Sequence, residues 1–407
     1  MVSVCIVGGG IAGLYAAKSL GGGNSVVVLE ADPEHVGGRA RMTRFAGIPV
    51  VRGAGIGRAR DKRLRRVLRE LGIPERPFRV AVRILHNGVV VRNAASLKSV
   101  SARVAASKEY RAAPRTPFGK LAEKVLGKRA YATFLEKSVY TNFERDDATD
   151  VILDYGVDDN ESGWKGLGIS WNALIRGLAK GQKILLGRRA TAIERTNDGE
   201  IVVRTDDPLF SVTCDVAIVA TTVESARRLF PGKYRDIFGQ PFIRVYATFD
   251  APSAEIVRDL VPTMTIVERP LKKIVPMRKK NVFMIAYADN ADARAVHRVD
   301  ADPRALEAMV EKALGLARGA LRILDVQSHY WPIGTHGYGP LPKKYATRAD
   351  FIRDAQRPAP DVFVVGEMVS TNQGWVEGAL ESVDAVIRDI KKTLQSKENS
   401  RKIKATT

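Results

Sequence analysis

A glycine-rich segment near the start of the chain restricts the fold more than any other feature of the sequence. Residues 2–7 form an apolar, β-branched run, and the segment 14–20 reads as a helix. Between them, Gly8, Gly10 and Gly13 have the spacing G-x-G-x-x-G. In a strand–turn–helix unit the first glycine permits the turn, the second lets a pyrophosphate approach the backbone, and the third lets the helix pack closely. The segment therefore predicts a dinucleotide site at a helix N-terminus.

The residues that follow indicate which dinucleotide is bound. A second apolar strand, 25–30, ends in Glu30, which stands 17 residues after Gly13, where a carboxylate accepts hydrogen bonds from a ribose. Gly38 and Arg39 come soon afterwards, and an arginine placed there can return to the pyrophosphate as a bidentate donor. This arrangement resembles that of flavoproteins that bind FAD in an extended form. We therefore expect FAD as the cofactor.

The C-terminal part of the chain carries a second pattern. Residues 362–386 read VFVVGEMVSTNQGWVEGALESVDAV, a strand followed by Gly366 and Glu367, a loop and the start of a helix. This pattern resembles the C-terminal signature of the flavin-containing amine oxidase family. The resemblance implies that Glu367 holds the ribitol chain of FAD and that the helix near Val376 points at the flavin ring. It also implies that Ala190 lies against the adenine.

The predicted elements and this resemblance indicate an α/β fold. We expect a Rossmann-like FAD-binding domain of the extended-FAD type, assembled from separated segments, and a mixed α+β substrate-binding domain. The predicted FAD-binding domain comprises residues 1–75, 181–225 and 345–391, and the predicted substrate-binding domain comprises residues 76–180 and 226–344. The last residues, 392–407, are polar and basic, so we expect a flexible tail.

The composition limits the class of protein. The 407-residue chain has no run of 18 apolar residues, which argues against a membrane span. Its first predicted strand begins at Val2, which leaves no room for a signal peptide. Its two cysteines fall in predicted buried strands, as expected in a reducing compartment. We therefore expect a cytoplasmic protein. The five histidines have no metal-binding spacing, so we predict no metal site.

The net charge of +20 is unusual. An excess of basic residues of this size is typical of proteins that bind a nucleic acid or other polyanion, an anionic surface or an acidic substrate. The basic residues are spread through amphipathic helices such as 59–73, in which Leu64, Val67, Leu68 and Leu71 form one apolar stripe. A solvated basic face is therefore the favoured interpretation, and binding to a polyanion stays open.

The resemblance also implies a substrate pocket in front of the flavin. Members of the family oxidise amines by moving a hydride from the carbon next to nitrogen onto flavin N5. The imine is then hydrolysed, and dioxygen reoxidises the flavin to give hydrogen peroxide. Many members desolvate the amine between two aromatic rings, and the corresponding positions here are Tyr338 and Trp375. Ordinary packing of these two rings is the alternative.

Two positions depart from the family pattern. Some members attach the flavin covalently through a cysteine just before the first of these aromatic residues. Gly337 stands there, so we expect non-covalent FAD. Many members have a lysine beside flavin N5, and Arg244 occupies that position. Because arginine is larger and always charged, Arg244 either binds an anionic substrate group such as an amino-acid carboxylate, stands in for the lysine, or points away and pairs structurally.

These observations favour an FAD-dependent amine oxidoreductase that acts on a small amine or amino acid, with dioxygen as the oxidant. Two alternatives remain. Desaturases and protoporphyrinogen-oxidase-like enzymes share the N-terminal motifs and oxidise carbon–carbon or ring bonds. A non-catalytic basic flavoprotein bound to a polyanion would account for the net charge and the missing lysine. The sequence indicates no oligomeric state.

Overall fold

A computed structural model of the chain describes residues 2–21, 24–79, 81–91, 96–154 and 163–406. At its centre is a five-stranded parallel sheet, termed here the nucleotide sheet. In spatial order its strands are Lys183–Leu185, Ser25–Leu29, Ser3–Val7, Val216–Val219 and Val362–Val364. Strands from both ends of the chain and from its middle thus build one sheet, which confirms the predicted Rossmann-like α/β fold.

The nucleotide sheet is covered on both faces, which is why its strands read as continuous apolar runs. Side chains alternate along a strand, so Val4 and Ile6 belong to one core, and Cys5 and Val7 belong to another. The first core is shared with the helices Ile11–Leu20, Lys62–Glu70, Trp171–Ala179 and Val376–Thr406. The second is shared with the antiparallel strands Ala190–Arg195, Ile201–Thr205 and Ser211–Cys214 and the helices Val223–Leu229 and Arg348–Ala355.

A seven-stranded sheet, termed here the long-strand sheet, forms the second large unit. Its strands, in spatial order, are Ile323–Tyr338, Ile237–Phe249, Val282–Asp289, Lys273–Pro276, Met264–Ile266, Val82–His86 and Val89–Val90. The helices Ala251–Leu260, Asn290–His297 and Pro303–Leu314 share its apolar core. Ile243 and Val245 lie in this core, so the alternate residues Phe242, Arg244 and Tyr246 lie on the opposite face.

Short helices and strands complete the described structure. The helices Leu97–Ala106, Lys108–Ala112, Phe118–Leu126, Lys128–Lys137 and Ala148–Asp154 pack around a separate aromatic core. The strand Met42–Phe45 pairs with Ile48–Val51, and the strands Gly57–Arg58 and Arg76–Arg79 both pair with Lys165–Gly168. The exact limits of the two predicted domains stay a prediction.

The range of the predicted flexible tail is mostly helical, because the helix Val376–Thr406 continues through it. Leu394 is buried in the core, and Arg401 Nη2 lies 2.7 Å from Asp215 Oδ1 at the nucleotide sheet. The tail is therefore held by an apolar contact and an ion pair that the local sequence does not indicate. None of the helices in the described ranges combines the length and apolar character needed to cross a bilayer.

Some of the basic residues face acidic partners within the protein. Arg63 Nη1 lies 3.3 Å from Glu377 Oε1, and Arg66 Nη2 lies 3.1 Å from Asp384 Oδ2. These pairs join the helix Lys62–Glu70 to the last helix, so part of its basic face is covered. Binding to a polyanion stays a prediction.

Candidate functional site

One large cavity, of about 680 Å³, lies between the nucleotide sheet and the long-strand sheet. Its nucleotide end begins where the strands Ser3–Val7 and Ser25–Leu29 finish, which is where parallel sheets of this type bind their ligands. The opposite end, termed here the aromatic end, is lined by Tyr140, Phe242, Tyr287, Trp331 and Trp375, among others.

The three motif glycines have distinct surroundings that match their expected roles. A Cβ atom on Gly8 would lie 2.5 Å from the carbonyl oxygen of Ala220, and its φ is +105°. A Cβ on Gly13 would lie 1.9 Å from the Gly8 carbonyl oxygen, whereas nothing lies within 4 Å of a Cβ on Gly10. Gly8 and Gly13 therefore allow tight packing, and Gly10 leaves open space beside the backbone. Gly10 also provides no capping side chain for the helix Ile11–Leu20, so the first N–H groups of that helix are available to an anion.

Glu30 lines the nucleotide end of the cavity and is already held in place. Its Oε2 accepts a hydrogen bond from Gly9 N at 2.7 Å, and its Oε1 accepts one from Asp32 N at 2.8 Å. Each carboxylate oxygen can accept more than one hydrogen bond. Glu30 is therefore oriented by the backbone and can still accept hydrogen bonds from ribose hydroxyl groups.

Glu367 connects the two regions that the sequence motifs identified. Its Oε1 accepts hydrogen bonds from Arg39 Nη1 at 2.7 Å and from His336 Nδ1 at 2.5 Å, and its Oε2 accepts one from Gly374 N at 3.0 Å. Because His336 Nε2 accepts the Val223 N–H at 3.1 Å, a neutral His336 ring carries its proton on Nδ1. Burial opposes the ionisation of Glu367, but His336 and Arg39 outweigh it and hold the pKa of this carboxyl well below its usual range.

The structure brings the predicted cofactor residues together around one cavity. The residues that line it are Gly8, Gly10, Glu30, Gly38, Arg39, Ala190, Glu367 and Val376. Gly13 lies beneath them, packed against Gly8. His336 was not predicted from the sequence, because the histidines have no metal-binding spacing and no other motif includes this residue. Its position in the same segment as Tyr338 was the available signal.

The two predicted cage rings both lie at the cavity, but each has a guanidinium group over it. The Arg58 guanidinium carbon is 4.1 Å from the centre of the Trp375 ring, and that of Arg348 is 4.6 Å from the Tyr338 ring. Tyr338 also donates a hydrogen bond to the Ser370 carbonyl at 2.9 Å, and burial raises the pKa of its phenol. Tyr338 is therefore fixed in the core beside the cavity, and a cage of Tyr338 and Trp375 stays a prediction.

Arg244 is separated from the cavity by backbone. Its Nε donates to the Gly53 carbonyl at 3.0 Å, and its guanidinium carbon is 4.1 Å from the Tyr287 ring centre. A Cβ atom on Gly55 would be 2.6 Å from Arg244 Nη2. Gly53 and Gly55 line the cavity, and Arg244 lies behind them. Arg244 supports the cavity wall in this arrangement, which fits the alternative that it points away and pairs structurally, and a direct contact with a substrate carboxylate stays a prediction.

Gly337 has no room for a side chain. A Cβ atom there would lie 2.2 Å from Asp146 Oδ1 and 2.6 Å from the Phe238 ring. Asp146 also has a raised pKa, chiefly because it is buried. A cysteine at this position would displace these neighbours, which supports the expectation of non-covalent FAD.

Two residues of opposite charge, neither identified from the sequence, line the cavity. Arg58 is buried, and its Nε lies 2.7 Å from Asp61 Oδ1. Arg58 Nη1 has no hydrogen-bond acceptor within the described part of the chain. Asp289 is also buried, and its two carboxylate oxygens accept hydrogen bonds from Thr141 N at 3.2 and 3.0 Å. The cavity therefore offers both a cationic and an anionic group to a ligand.

The geometry of the cavity is by itself compatible with a bound FAD molecule. The open space at Gly10, the uncapped helix N-terminus and Arg39 suit a pyrophosphate, and the oriented Glu30 carboxylate suits a ribose. Trp331 and Trp375 provide flat apolar surface at the far end.

Comparisons with known proteins agree with this geometry. Residues 6–71 match the family described as NAD(P)-binding Rossmann-like domain. Residues 156–385 match the family described as flavin containing amine oxidoreductase. No curated protein matches the sequence. Among solved structures, a putrescine oxidase redesigned in its cofactor binding is 16% identical, with a TM-score of 0.73 and coverage of 96% of this chain and 99% of the other. A provisionally assigned protoporphyrinogen oxidase from Exiguobacterium sp. 255-15 is also 16% identical, with a TM-score of 0.68 and coverage of 96% and 98%.

The two structural relatives show a shared fold, and their low identity leaves the substrate undetermined. The match over residues 156–385 covers more than half of the chain. It includes the segments that carry Arg244, His336, Glu367 and Trp375. The protein therefore belongs to the flavin-containing amine oxidoreductase family, and FAD is its expected cofactor.

Proposed function

We propose that the protein is an FAD-dependent amine oxidoreductase whose substrate carries an anionic group in addition to its amine. The observation that carries this proposal is Arg58. Its guanidinium lies in the cavity wall over Trp375, and Nη1 has no acceptor within the described part of the chain. A carboxylate is the group that such a guanidinium binds most strongly. An amino acid satisfies both requirements.

The cations around the aromatic end support the same substrate class. Arg244 and Lys273 lie 4.1 and 4.6 Å from the centre of the Tyr287 ring, and Arg58 lies 4.1 Å from that of Trp375. An aromatic face attracts a cation, and here these rings already interact with cations of the protein itself. A simple alkylammonium therefore gains little from the rings and is repelled by their partners, whereas a carboxylate compensates the positive charge.

The proposed chemistry oxidises the carbon next to nitrogen. Bound FAD supplies the two-electron acceptor for that carbon–hydrogen bond. The protein binds and orients the substrate and excludes water around the reacting carbon. Hydrolysis of the resulting imine and the use of dioxygen as the final oxidant, with release of hydrogen peroxide, belong to the same proposal.

A second candidate is oxidation of a carbon–carbon or ring bond in an anionic substrate. The guanidinium groups over Trp375 and Tyr338 favour it, because a negatively charged ring system would suit them without any amine. The candidates differ in one measurable product, since only the oxidation of a primary amine releases ammonia.

The test compares each natural L-amino acid with the amine formed by its decarboxylation, under anaerobic conditions. We expect the wild-type flavin to be reduced faster by at least one amino acid than by its amine. The variant Arg58→Met should lose this preference by at least about tenfold, in line with the value of one charged hydrogen bond of about 1.5–3 kcal/mol. Arg58→Lys should retain part of it.

Arg145→Met is the matched control. Arg145 also lies over an aromatic ring, at 4.2 Å from Phe238, but does not line the cavity. We expect this variant to keep the wild-type preference. Equal rates for acid and amine in the wild type, or an unchanged preference in Arg58→Met, would contradict the assignment of Arg58.

A further inference from the structure

Asp289 is a buried carboxylate at the aromatic end of the cavity that the proposed recognition by Arg58 does not use. It is the last residue of the strand Val282–Asp289 and directly precedes the helix Asn290–His297. The backbone N–H and the Oγ1 hydroxyl of Thr141 each donate a hydrogen bond of 3.0 Å to the Asp289 carboxylate. The carboxylate is therefore fixed in position by regular structure and by hydrogen bonds.

This carboxylate has no ion-pair partner in the described part of the chain. The nearby Lys272 ammonium donates to the carbonyl oxygens of Leu135 and Ser138 at 2.9 and 2.7 Å, and it lies 3.8 Å from Asp292 Oδ2. Its hydrogen bonds are thus directed at groups other than Asp289. A buried carboxylate without a paired cation is costly, and a cationic group of a ligand in the cavity would provide the missing partner.

We propose that Asp289 binds the ammonium group of the substrate and accepts its proton, which leaves the neutral amine that reacts. This inference rests on the proposed amine oxidation. In this step one N–H bond of the ammonium breaks and one O–H bond forms on the Asp289 carboxylate, so that no electrons leave the substrate. The nitrogen keeps the lone pair that assists loss of the hydride from the neighbouring carbon.

The surroundings of Asp289 suit a proton acceptor that works near neutral pH. Burial raises its pKa to about 6, although the hydrogen bonds from Thr141 and the charge of Lys272 oppose this shift. The charged and titratable groups that face it are Lys272, Asp292 and Arg269. Tyr287 lies two residues before it on the same strand. An alkylammonium has an ordinary pKa of about 10.4, and the apolar cavity lowers it. Burial therefore moves the two pKa values toward each other, because it disfavours the charged form of both groups.

The test measures the rate of anaerobic flavin reduction between pH 6 and pH 10 with the fastest substrate from the amino acid and amine panel. The wild-type rate should fall as the pH drops and Asp289 becomes protonated. Asp289→Asn keeps the size and the ability to accept from Thr141, but it cannot take the proton. We expect a rate at least about tenfold lower at pH 7, rising about tenfold per pH unit until the amine itself titrates. Asp289→Glu should restore part of the rate at neutral pH.

Asp292→Asn is the matched control. Asp292 lies on the helix Asn290–His297 that follows Asp289 and is equally buried, but it pairs with Arg269 at 2.8 Å and does not line the cavity. This substitution removes a negative neighbour of Asp289, so the fall in the flavin-reduction rate at acidic pH should move to lower pH. The rate should show no recovery at high pH of the kind expected for Asp289→Asn. The flavin absorbance of each variant confirms that it holds FAD.

The outcomes separate the two proposals. If Asp289→Asn reduces its flavin at the wild-type rate at pH 7, or if its rate is lowered by the same factor at every pH, Asp289 is not the proton acceptor. A wild-type protein whose flavin is not reduced by any amine or amino acid at any pH would instead overturn the proposed amine oxidation.

Discussion

Arg39 and Glu367 are separated by 328 residues in the sequence and form an ion pair of 2.7 Å at the middle of the cavity. One residue belongs to the N-terminal glycine-rich region and the other to the C-terminal signature. His336, from the longest strand of the long-strand sheet, binds the same carboxylate oxygen. Three distant parts of the chain therefore meet at the place where the sequence predicts the FAD ribitol and pyrophosphate.

Glu367→Gln should weaken FAD binding and destabilise the protein without cofactor. The amide keeps one acceptor but loses the charge that compensates Arg39, and a hydrogen bond to a charged group is worth about 1.5–3 kcal/mol. Fluorescence titration of the stripped protein with FAD measures the affinity. The exposed Glu194, paired with Arg204, supplies a control in Glu194→Gln. Equal affinity in Glu367→Gln and the wild type would show that the carboxylate charge does not matter there.

The stabilising effect of Glu367 should depend on pH in a defined direction. Its pKa in the folded protein is lowered, so its contribution is fully present above the unfolded value of about 4.3 and is lost as the pH falls toward the folded value. The difference in unfolding free energy between the wild type and Glu367→Gln should therefore be constant near neutrality and narrow below about pH 4. Urea unfolding at a series of pH values checks this, and a difference that widens in acid would contradict it.

Gly337→Ala should destabilise the protein, because the added Cβ would lie 2.2 Å from Asp146 Oδ1. Overpacking of this kind costs about 1–3 kcal/mol. Gly339→Ala is a close control, since a Cβ there meets only the Asp236 carbonyl oxygen at 3.7 Å. Thermal unfolding should separate the two variants, and equal midpoints would mean that Asp146 moves aside freely.

Arg244→Lys should affect amino acids and simple amines equally. Lysine cannot combine the hydrogen bond to Gly53 with stacking on Tyr287, so the cavity wall loosens for every substrate. The anaerobic rates of flavin reduction with an amino acid and its decarboxylated amine provide the measurement. If the rate of flavin reduction fell only with amino acids, the result would instead show that Arg244 reaches the substrate carboxylate.

The parts of the site that the sequence predicts are those determined by local backbone geometry. The spacing of Gly8, Gly10 and Gly13 requires a tight turn between a strand and a helix, and Glu30 and Glu367 each follow the end of a strand. Such residues meet at one edge of a parallel sheet whatever the rest of the chain does.

The features that could not be predicted from the sequence depend on contacts between distant segments. The alternation of side chains along the strand indicates that Arg244 and Ile243 lie on opposite faces of the sheet. Only the packing of Gly53 and Gly55 against Arg244 places this side chain behind the cavity wall. Arg58 and Asp289 belong to no local motif, and they line the cavity only because distant segments pack around it. The helical tail likewise depends on Asp215, almost two hundred residues away.

The most direct test of the central proposal is anaerobic mixing of the purified flavoprotein with L-amino acids and their decarboxylated amines. We predict that at least one amino acid bleaches the visible absorbance of the flavin and that hydrolysis of the imine product releases ammonia. Readmitted dioxygen should then restore the absorbance with release of hydrogen peroxide. A flavin that stays oxidised with every amino acid and amine, at neutral and alkaline pH, would contradict the account.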